Sequence, residues 1–538
     1  MITTDILFPY ECIRPTQDEL MLAVKTSIEN KTNLIAHAPT GLGKTIAVLA
    51  PALKFALTNG LSIFFLTSKH TQHQIVVNTI KQIRKKSGIN IRVSDIIGKK
   101  WMCLQQNVDE LYSMNFHDFC NSLVEERLCE FYVNTRQNTG TPTLKAKRLL
   151  GEITILGTLH TEEVIEKCKK EKFCPYEISS LLAKESDVII ADYYYVFDPH
   201  IRELFFQKID KKLEKSIIIV DEGHNLPKRC QQLMSSKLTN FMLERAFEEA
   251  KRFKFLEALD YISNMEGILS DYAKLLKTDD EDLVSREDFM EKINDFYNYE
   301  TLITDLEYLS KEVRVTQKLS YLGGVAKFLD NWRLSDDRFA RIFSRVFYNE
   351  RANLTLMNKC LDYSIVSKDV IDGAYSTIIM SGTLTPTSMY KDLLGFNSSI
   401  EKTYKSPFPK HNRLNLIIPT TTTKYTERDE TQYKSIAKII NEICSVVSGN
   451  LAVFFPSYKL RDDVSNYLIE RLEKRIVMEV RGLTKKEKTE LIERFKADKD
   501  KGAVLLGVSS ASFGEGIDLP GDFLKCVIVV GMPLEKPN

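Results

Sequence analysis

The sequence predicts an α/β protein of two parallel-sheet lobes, the first interrupted twice. Three observations carry this. Short apolar, β-branched runs recur, each followed by turn residues and a helical pattern, as parallel strands joined by helices require. The runs fall into two groups along the chain. Two long stretches within the first group lack the strand pattern: one carries cysteines, the other Leu, Phe and Tyr at helical spacing.

In order, the first group comprises residues 33–36, 62–66, 188–191, 216–220 and 377–380. The second comprises 451–455, 475–480, 503–507 and 526–530. The first lobe is therefore expected at 1–95, 179–235 and 371–405, and the second at 406–538. The cysteine insert occupies 96–178, and a charged, mostly helical insert occupies 236–370.

Composition narrows the function. With 538 residues and 43% hydrophobic side chains, several cores can be built. No run of about 18 apolar residues exists, and the start MITTDILFPYE has no basic, then apolar, leader. The expectation is an intracellular protein without a membrane span, whose ten cysteines are thiols or metal ligands rather than disulfides. A net charge of +1 gives no overall positive field, so any nucleic acid must bind in local grooves. The clusters Lys81, Arg84, Lys85, Lys86 and Lys167, Lys169, Lys170, Lys172 read singly as solvated helix faces.

The segment APTGLGKT at 38–45 lies between a strand run and a helical run, the context of a phosphate-binding loop. Gly41 and Gly43, beside Thr40, let the backbone curl its amides toward phosphates at a helix N-terminus. Lys44 would reach the β- and γ-phosphates of ATP, and the Thr45 hydroxyl would bind Mg²⁺. Further on, IIIVDEGH ends a hydrophobic run. Asp221 can coordinate Mg²⁺, Glu222 can orient and deprotonate a water, and His224 completes the box. Arg14 and Gln17 suit adenine recognition, since an amide both donates and accepts. Ser381-Gly382-Thr383 offers hydroxyls that could couple nucleotide to nucleic acid, or a plain helix cap. Gly514, Glu515 and Asp518 in GEGID offer polar groups from the second lobe.

Cys103, Cys120, Cys129 and Cys174 lie in the insert, with sixteen, eight and forty-four residues between them. This is not the tight CxxC pairing of structural zinc. Four thiolates could still hold an iron–sulfur cluster, and on chemistry alone iron and zinc stand even. Cys168 competes with Cys174 as fourth ligand; Pro175 and Tyr176 after Cys174 favour the latter. Cys12, Cys230, Cys360, Cys444 and Cys526 read as apolar cysteines.

Taken together, FPYECIRPTQ, APTGLGKT, FFLTSKHTQ, FCPYE, VIIADYYYVFDP, IIIVDEGHNLP, IIMSGTLTP, VFFPSYKLRDD and SFGEGIDLPG span residues 8 to 538. This array resembles the XPD/DinG family of iron–sulfur superfamily 2 DNA helicases, its archaeal XPD branch most of all. The resemblance implies two RecA-like lobes, a [4Fe–4S] cluster on Cys103, Cys120, Cys129 and Cys174, and an arch domain at 236–370. It further implies an ATP- and Mg²⁺-dependent monomer moving 5′ to 3′ on single-stranded DNA and opening forked duplex. The role would be DNA repair beside other repair proteins, in the cytoplasm at the nucleoid. Thr67, Ser68 and Gln72 would contact the DNA backbone. Tyr193 and Tyr194, with Tyr195, sit where the family lines its DNA path, although a Tyr-rich strand end also suits a core.

Two departures stand out. The acidic box has Gly223 where Ala is usual, for which little effect is expected. The family's late QxxGRxxR segment is absent from these residues, which suggests a C-terminal truncation that binds ATP and DNA but turns over poorly. Other readings are a DinG-like helicase acting on R-loops and a nucleic-acid-binding module with a silent motor.

Overall fold

A computed structural model describes residues 6–108, 113–276, 280–317, 320–334, 336–348, 351–468, 472–483, 485–511, 513–514, 517 and 519–532. The chain forms two compact units, Met1–Pro409 and Lys410–Asn538.

In chain order the first unit contains β1 (Leu34–His37), β2 (Ser62–Leu66), β3 (Val93–Asp95), β4 (Val188–Ala191) and β5 (Ser216–Asp221). Next come β6 (Ser236–Thr239), β7 (Glu281–Leu283), β8 (Phe339–Tyr348) and β9 (Arg351–Cys360), then β10 (Ser376–Ser381) and β11 (Ile400–Thr403). Seven strands form a parallel sheet in the order β11-β1-β10-β5-β2-β4-β3. Successive side chains of a strand face opposite sides, and both sides are covered. Ile63 and Phe65 pack into one apolar layer, Phe64 and Leu66 into the other. The sequence showed no apolar run for β3 or β11, and both lie at the edges of the sheet. They have three and four residues, and β11 (IEKT) is half-buried to exposed, so neither needs a continuous apolar stretch.

The neighbours β1, β10, β5 and β2 all run the same way. Their carboxyl ends place residues 38–45, Ser381, Asp221 and Thr67 along one edge, where open α/β sheets bind ligands.

The insert between β3 and β4 is helical, with a small core of Ala146, Leu149, Ile153, Val164, Cys168 and Phe173. The insert after β5 has its own larger core, centred on Trp332 against Phe289 with ring centroids 5.0 Å apart. Its helices were expected. Its four-stranded antiparallel sheet, β6-β9-β8-β7, corrects the expectation of a stretch nearly free of strands. Phe339, Phe343 and Phe347 recur every fourth residue, a spacing that a helix also shows; β8 instead pairs along its whole length with β9.

The second unit holds β12 (Leu451–Phe455), β13 (Arg475–Met478), β14 (Ala503–Val508) and β15 (Cys526–Val529). They form a parallel sheet ordered β13-β14-β12-β15. Among the described residues no helix is long and apolar enough to cross a membrane.

Candidate nucleotide site and cysteine cavity

The loop after β1 turns into the helix Lys44–Asn59. Ala38 N donates to Ser381 O at 2.9 Å, tying the loop to β10. Gly43 has φ +83°, and a Cβ there would lie 2.4 Å from Gln17 Nε2, so only glycine fits. Gln17 is buried; its Nε2 donates to Gly43 O at 3.3 Å and its Oε1 accepts from Arg14 N at 3.0 Å. Arg14 Nη1 donates to Gly41 O at 2.7 Å. The two residues expected at adenine thus brace the phosphate loop. Thr40 is exposed and Thr45 half-buried at the helix start. Lys44 Nζ lies 4.0 Å from Glu222 Oε1.

Asp221 ends β5 and is buried. Burial and the neighbouring Glu222 carboxylate push its carboxyl up to about 6, against the pull of Lys44. Glu222 adopts φ +51°, a left-handed conformation that a side chain rarely takes. Its carboxylate is held from three sides. Gln72 Nε2 donates to Oε1 at 3.3 Å, Ser381 Oγ donates to Oε2 at 3.1 Å, and His224 Nδ1 lies 3.4 Å from Oε2. His224 Nδ1 is also 2.7 Å from Ser381 Oγ.

The segment after β2 is tied to the same centre. Thr67 is buried, and its hydroxyl donates to Gln72 Oε1. Ser68 bonds the Tyr193 phenol, which donates to the backbone carbonyls of Asp221 and Glu222. Tyr193 is 0% exposed and here presents no ring face to a base, so the core alternative describes its setting. Tyr194 is half-buried; Arg229 lies 5.7 Å from its ring centroid and donates to its hydroxyl at 3.1 Å. The sequence reading did not single out Arg229, which carries no local signal beyond its charge.

The cysteines gather elsewhere. Cys103, Cys120, Cys129 and Cys174 all line one cavity, walled by Phe116, Phe119 and Tyr176 among others. Cys129 and Cys174 sit at the N-caps of the helices Glu130–Thr135 and Pro175–Glu185. Burial pushes the Cys103 thiol up to about 11 and the Cys174 thiol higher still. Thiols so shielded become thiolates only against a cation. Cys168 points into the insert's apolar core, its thiol pushed up to about 12 by burial, and does not line the cavity. Among the described residues no three His, Cys, Asp or Glu side chains are gathered closely enough for a single metal ion. An all-sulfur donor set spread around an apolar cavity fits an iron–sulfur cluster, which holds its thiolates further apart than one ion does.

The DEAD_2 family model matches residues 65–243, and the Helicase C-terminal domain model matches residues 440–538. The ATP-dependent DNA helicase XPD of Sulfolobus acidocaldarius is 23% identical, over 98% of this chain and 86% of that protein. The general transcription and DNA repair factor IIH helicase subunit XPD/RAD3 of Saccharomyces cerevisiae is 22% identical, over 98% of this chain and 80% of that protein. A solved XPD helicase superposes with a TM-score of 0.60 at 22% identity, covering 97% of this chain and 86% of the other. S. tokodaii Xpd4 superposes with 0.56 at 17%, covering 97% and 83%. The chain thus carries segments that match the DEAD_2 and Helicase C-terminal domain models and is similar along nearly its whole length to XPD helicases.

The acidic box has a local reason for Gly223. A Cβ there would lie 2.2 Å from Ile379 Cγ2 of β10. Close approach of β10 is what this glycine serves. In the second unit Gly514 is described, whereas Glu515 and Asp518 lie outside the described residues.

Proposed function

We propose that this chain is an ATP-dependent DNA helicase that moves 5′ to 3′ on single-stranded DNA and opens forked duplex during DNA repair. It acts as a monomer at the nucleoid, with repair proteins as partners. Lys44 binds the transferred phosphoryl group, and Glu222 orients and deprotonates the attacking water. Thr45 and Asp221 are the residues that would hold Mg²⁺, which neutralises phosphate charge. One observation supports this reading above the rest: Gln72, in the segment assigned to the DNA backbone, donates to Glu222, 4.0 Å from Lys44. A residue of the DNA-contact segment thus holds the group that positions water. Tyr194 beside Arg229 offers a ring and a cation to a passing base.

Cys103, Cys120, Cys129 and Cys174 would hold a [4Fe–4S] cluster. When bound, it supplies a four-point cross-link to an insert with a small core of its own. The test of the motor is strand separation on a 5′-tailed duplex with ATP. Wild-type protein separates it and Lys44→Ala does not; separation on a 3′ tail instead would overturn the direction.

A further inference from the structure

The helix His70–Ser87 follows β2, and in its first turn Gln72 holds Glu222. The next residue, His73, is buried, and its Nδ1 lies 2.5 Å from Asp95 Oδ1 at the end of β3. Successive helical side chains stand about 100° apart, so one turn serves both contacts. The other oxygen of Asp95 faces the cysteine insert. Oδ2 accepts from Thr161 N at 2.9 Å, and His160 Nε2 stands 3.6 Å from it. The Asp95 carbonyl accepts from the Thr161 hydroxyl at 2.8 Å. His160 caps the helix Thr161–Glu171: its Nδ1 accepts from Glu162 N at 3.3 Å, and Glu163 Oε2 accepts from His160 N at 2.7 Å. That helix ends shortly before Cys174.

One buried carboxylate therefore joins the helix that carries Gln72 to a helix of the insert. Lys81 Nζ donates to Glu163 Oε2 at 3.3 Å and Arg84 Nη1 to Thr158 Oγ1 at 3.3 Å, continuing the same seam nearer the surface. Such exposed contacts are worth little. The Asp95 joint is the costly one, since an apolar residue fills a buried site at less cost than a carboxylate. Its yield is geometric. Hydrogen bonds fix direction and distance where apolar packing does not. Burial raises the Asp95 carboxyl, but His73 and the Thr161 amide outweigh this and hold it below its ordinary value. The insert cannot shift at Thr161 without Asp95 releasing a partner or moving His73, and Gln72 moves with His73.

We propose that Asp95 is a positioning residue: through His73 and Gln72 it ties the placement of Glu222 to the seating of the cysteine insert. This rests on the ATP-dependent reading above. Asp95 itself touches no reacting atom.

The test pairs amide hydrogen exchange with DNA-stimulated ATP turnover of the full chain. In wild-type protein the Thr161 amide exchanges as slowly as those of β4; fast exchange there overturns the joint whatever any variant does. Asp95→Asn keeps the size, but its amide cannot accept on both sides. Exchange then quickens in residues 73–77 and 161–165 together while β2 and β5 stay protected. Quickening on one side only, or throughout the parallel sheet, overturns the assignment. The kcat of Asp95→Asn falls about fivefold with KM for ATP within about twofold, the worth of one hydrogen bond lost from a positioned group. A wild-type kcat overturns it. Gln72→Ala separates positioning from mere support. Because Asp95 acts through Gln72, adding Asp95→Asn to Gln72→Ala lowers kcat by less than about twofold more. A further fall of about fivefold, additive with the first, overturns the path through Gln72. Full turnover by Lys44→Ala sinks the motor reading itself. Abolished turnover there, with additive effects at Asp95 and Gln72, sinks only the role of Asp95.

Discussion

The Ser381 hydroxyl donates to Glu222 Oε2 at 3.1 Å, joining the end of β10 to the residue after β5. Ser381 Oγ also meets His224 Nδ1, and its backbone carbonyl receives Ala38 N of the phosphate loop. One residue thus touches Glu222, its histidine neighbour and the loop. Glu222 is held in a left-handed conformation that costs about 1–2 kcal/mol for a residue with a Cβ. Such strain persists where surrounding bonds over-determine it, and Ser381, Gln72 and Tyr193 supply those bonds.

Removing that hydroxyl should therefore slow chemistry more than binding. Ser381→Ala is expected to lower kcat about tenfold, the worth of one charge-assisted hydrogen bond, with KM for ATP nearly unchanged. Steady-state ATP turnover at saturating single-stranded DNA measures it; a raised KM with normal kcat would contradict the positioning role.

Asp221 should trade stability for function. Its carboxyl is pushed from an ordinary value of 3.8 to about 6, first by burial and then by Glu222. The folded state therefore holds a proton that the unfolded state has released between about pH 4 and 6, and stability falls as pH rises through that window. Above it the buried charge costs at most about 3 kcal/mol. Asp221→Asn keeps the shape and removes the charge. In nucleotide-free, Mg²⁺-free buffer at pH 7.5 it should stabilise the first unit by about 1–3 kcal/mol while abolishing turnover. Denaturant unfolding of both proteins decides this, and a destabilised variant would refute it.

Much of this centre was legible in the sequence because strand, loop and helix follow one another locally. APTGLGKT and IIIVDE are contiguous, and a parallel sheet fixes where their strands end. What the sequence hid is tertiary. Nothing near Gln17 shows that its amide is spent on Gly43 O, or near Gly223 that Ile379 packs where a Cβ would stand. Cys168 and Cys174 are both buried thiols six residues apart, and only folding sends one to a core and the other to a cavity. The β8–β9 hairpin was masked by phenylalanines four residues apart.

Glu177 should fasten the cysteine insert to the first lobe. It is 5% exposed at the side chain and pairs with Arg136 Nε at 2.8 Å and with Lys208 of the helix Pro199–Ile209. Burial raises its carboxyl, but Lys208 and Arg136 outweigh this and hold it below its ordinary value of 4.5. The stabilisation is thus present above the ordinary carboxylate range and is lost as pH falls through the lowered value. Glu177→Gln leaves two cations facing a neutral amide and should cost about 3 kcal/mol. Hydrogen exchange should quicken in residues 130–140 and 199–209 together; quickening in neither segment would show that the pair fastens nothing.

Cys168 and Cys174 give the sharpest contrast. Cys174 lines the shared cavity at a helix N-cap beside Cys103, Cys120 and Cys129. Cys168 contacts Val164 and Phe173 in an apolar core, with burial raising its thiol to about 12. Burial raises both thiols, so placement decides: a sulfur that lies in an apolar core away from the other three cysteines cannot share their ligand. In anaerobically purified protein, Cys174→Ser should lose most of the visible absorbance and bound iron of wild type. Cys168→Ser should keep both, at a stability cost of about 1 kcal/mol for a hydroxyl buried among apolar side chains. Iron and sulfide analysis of the three proteins measures this. Zinc in place of iron in the wild type would overturn the cluster, whereas iron lost from Cys168→Ser alone would reassign the fourth ligand.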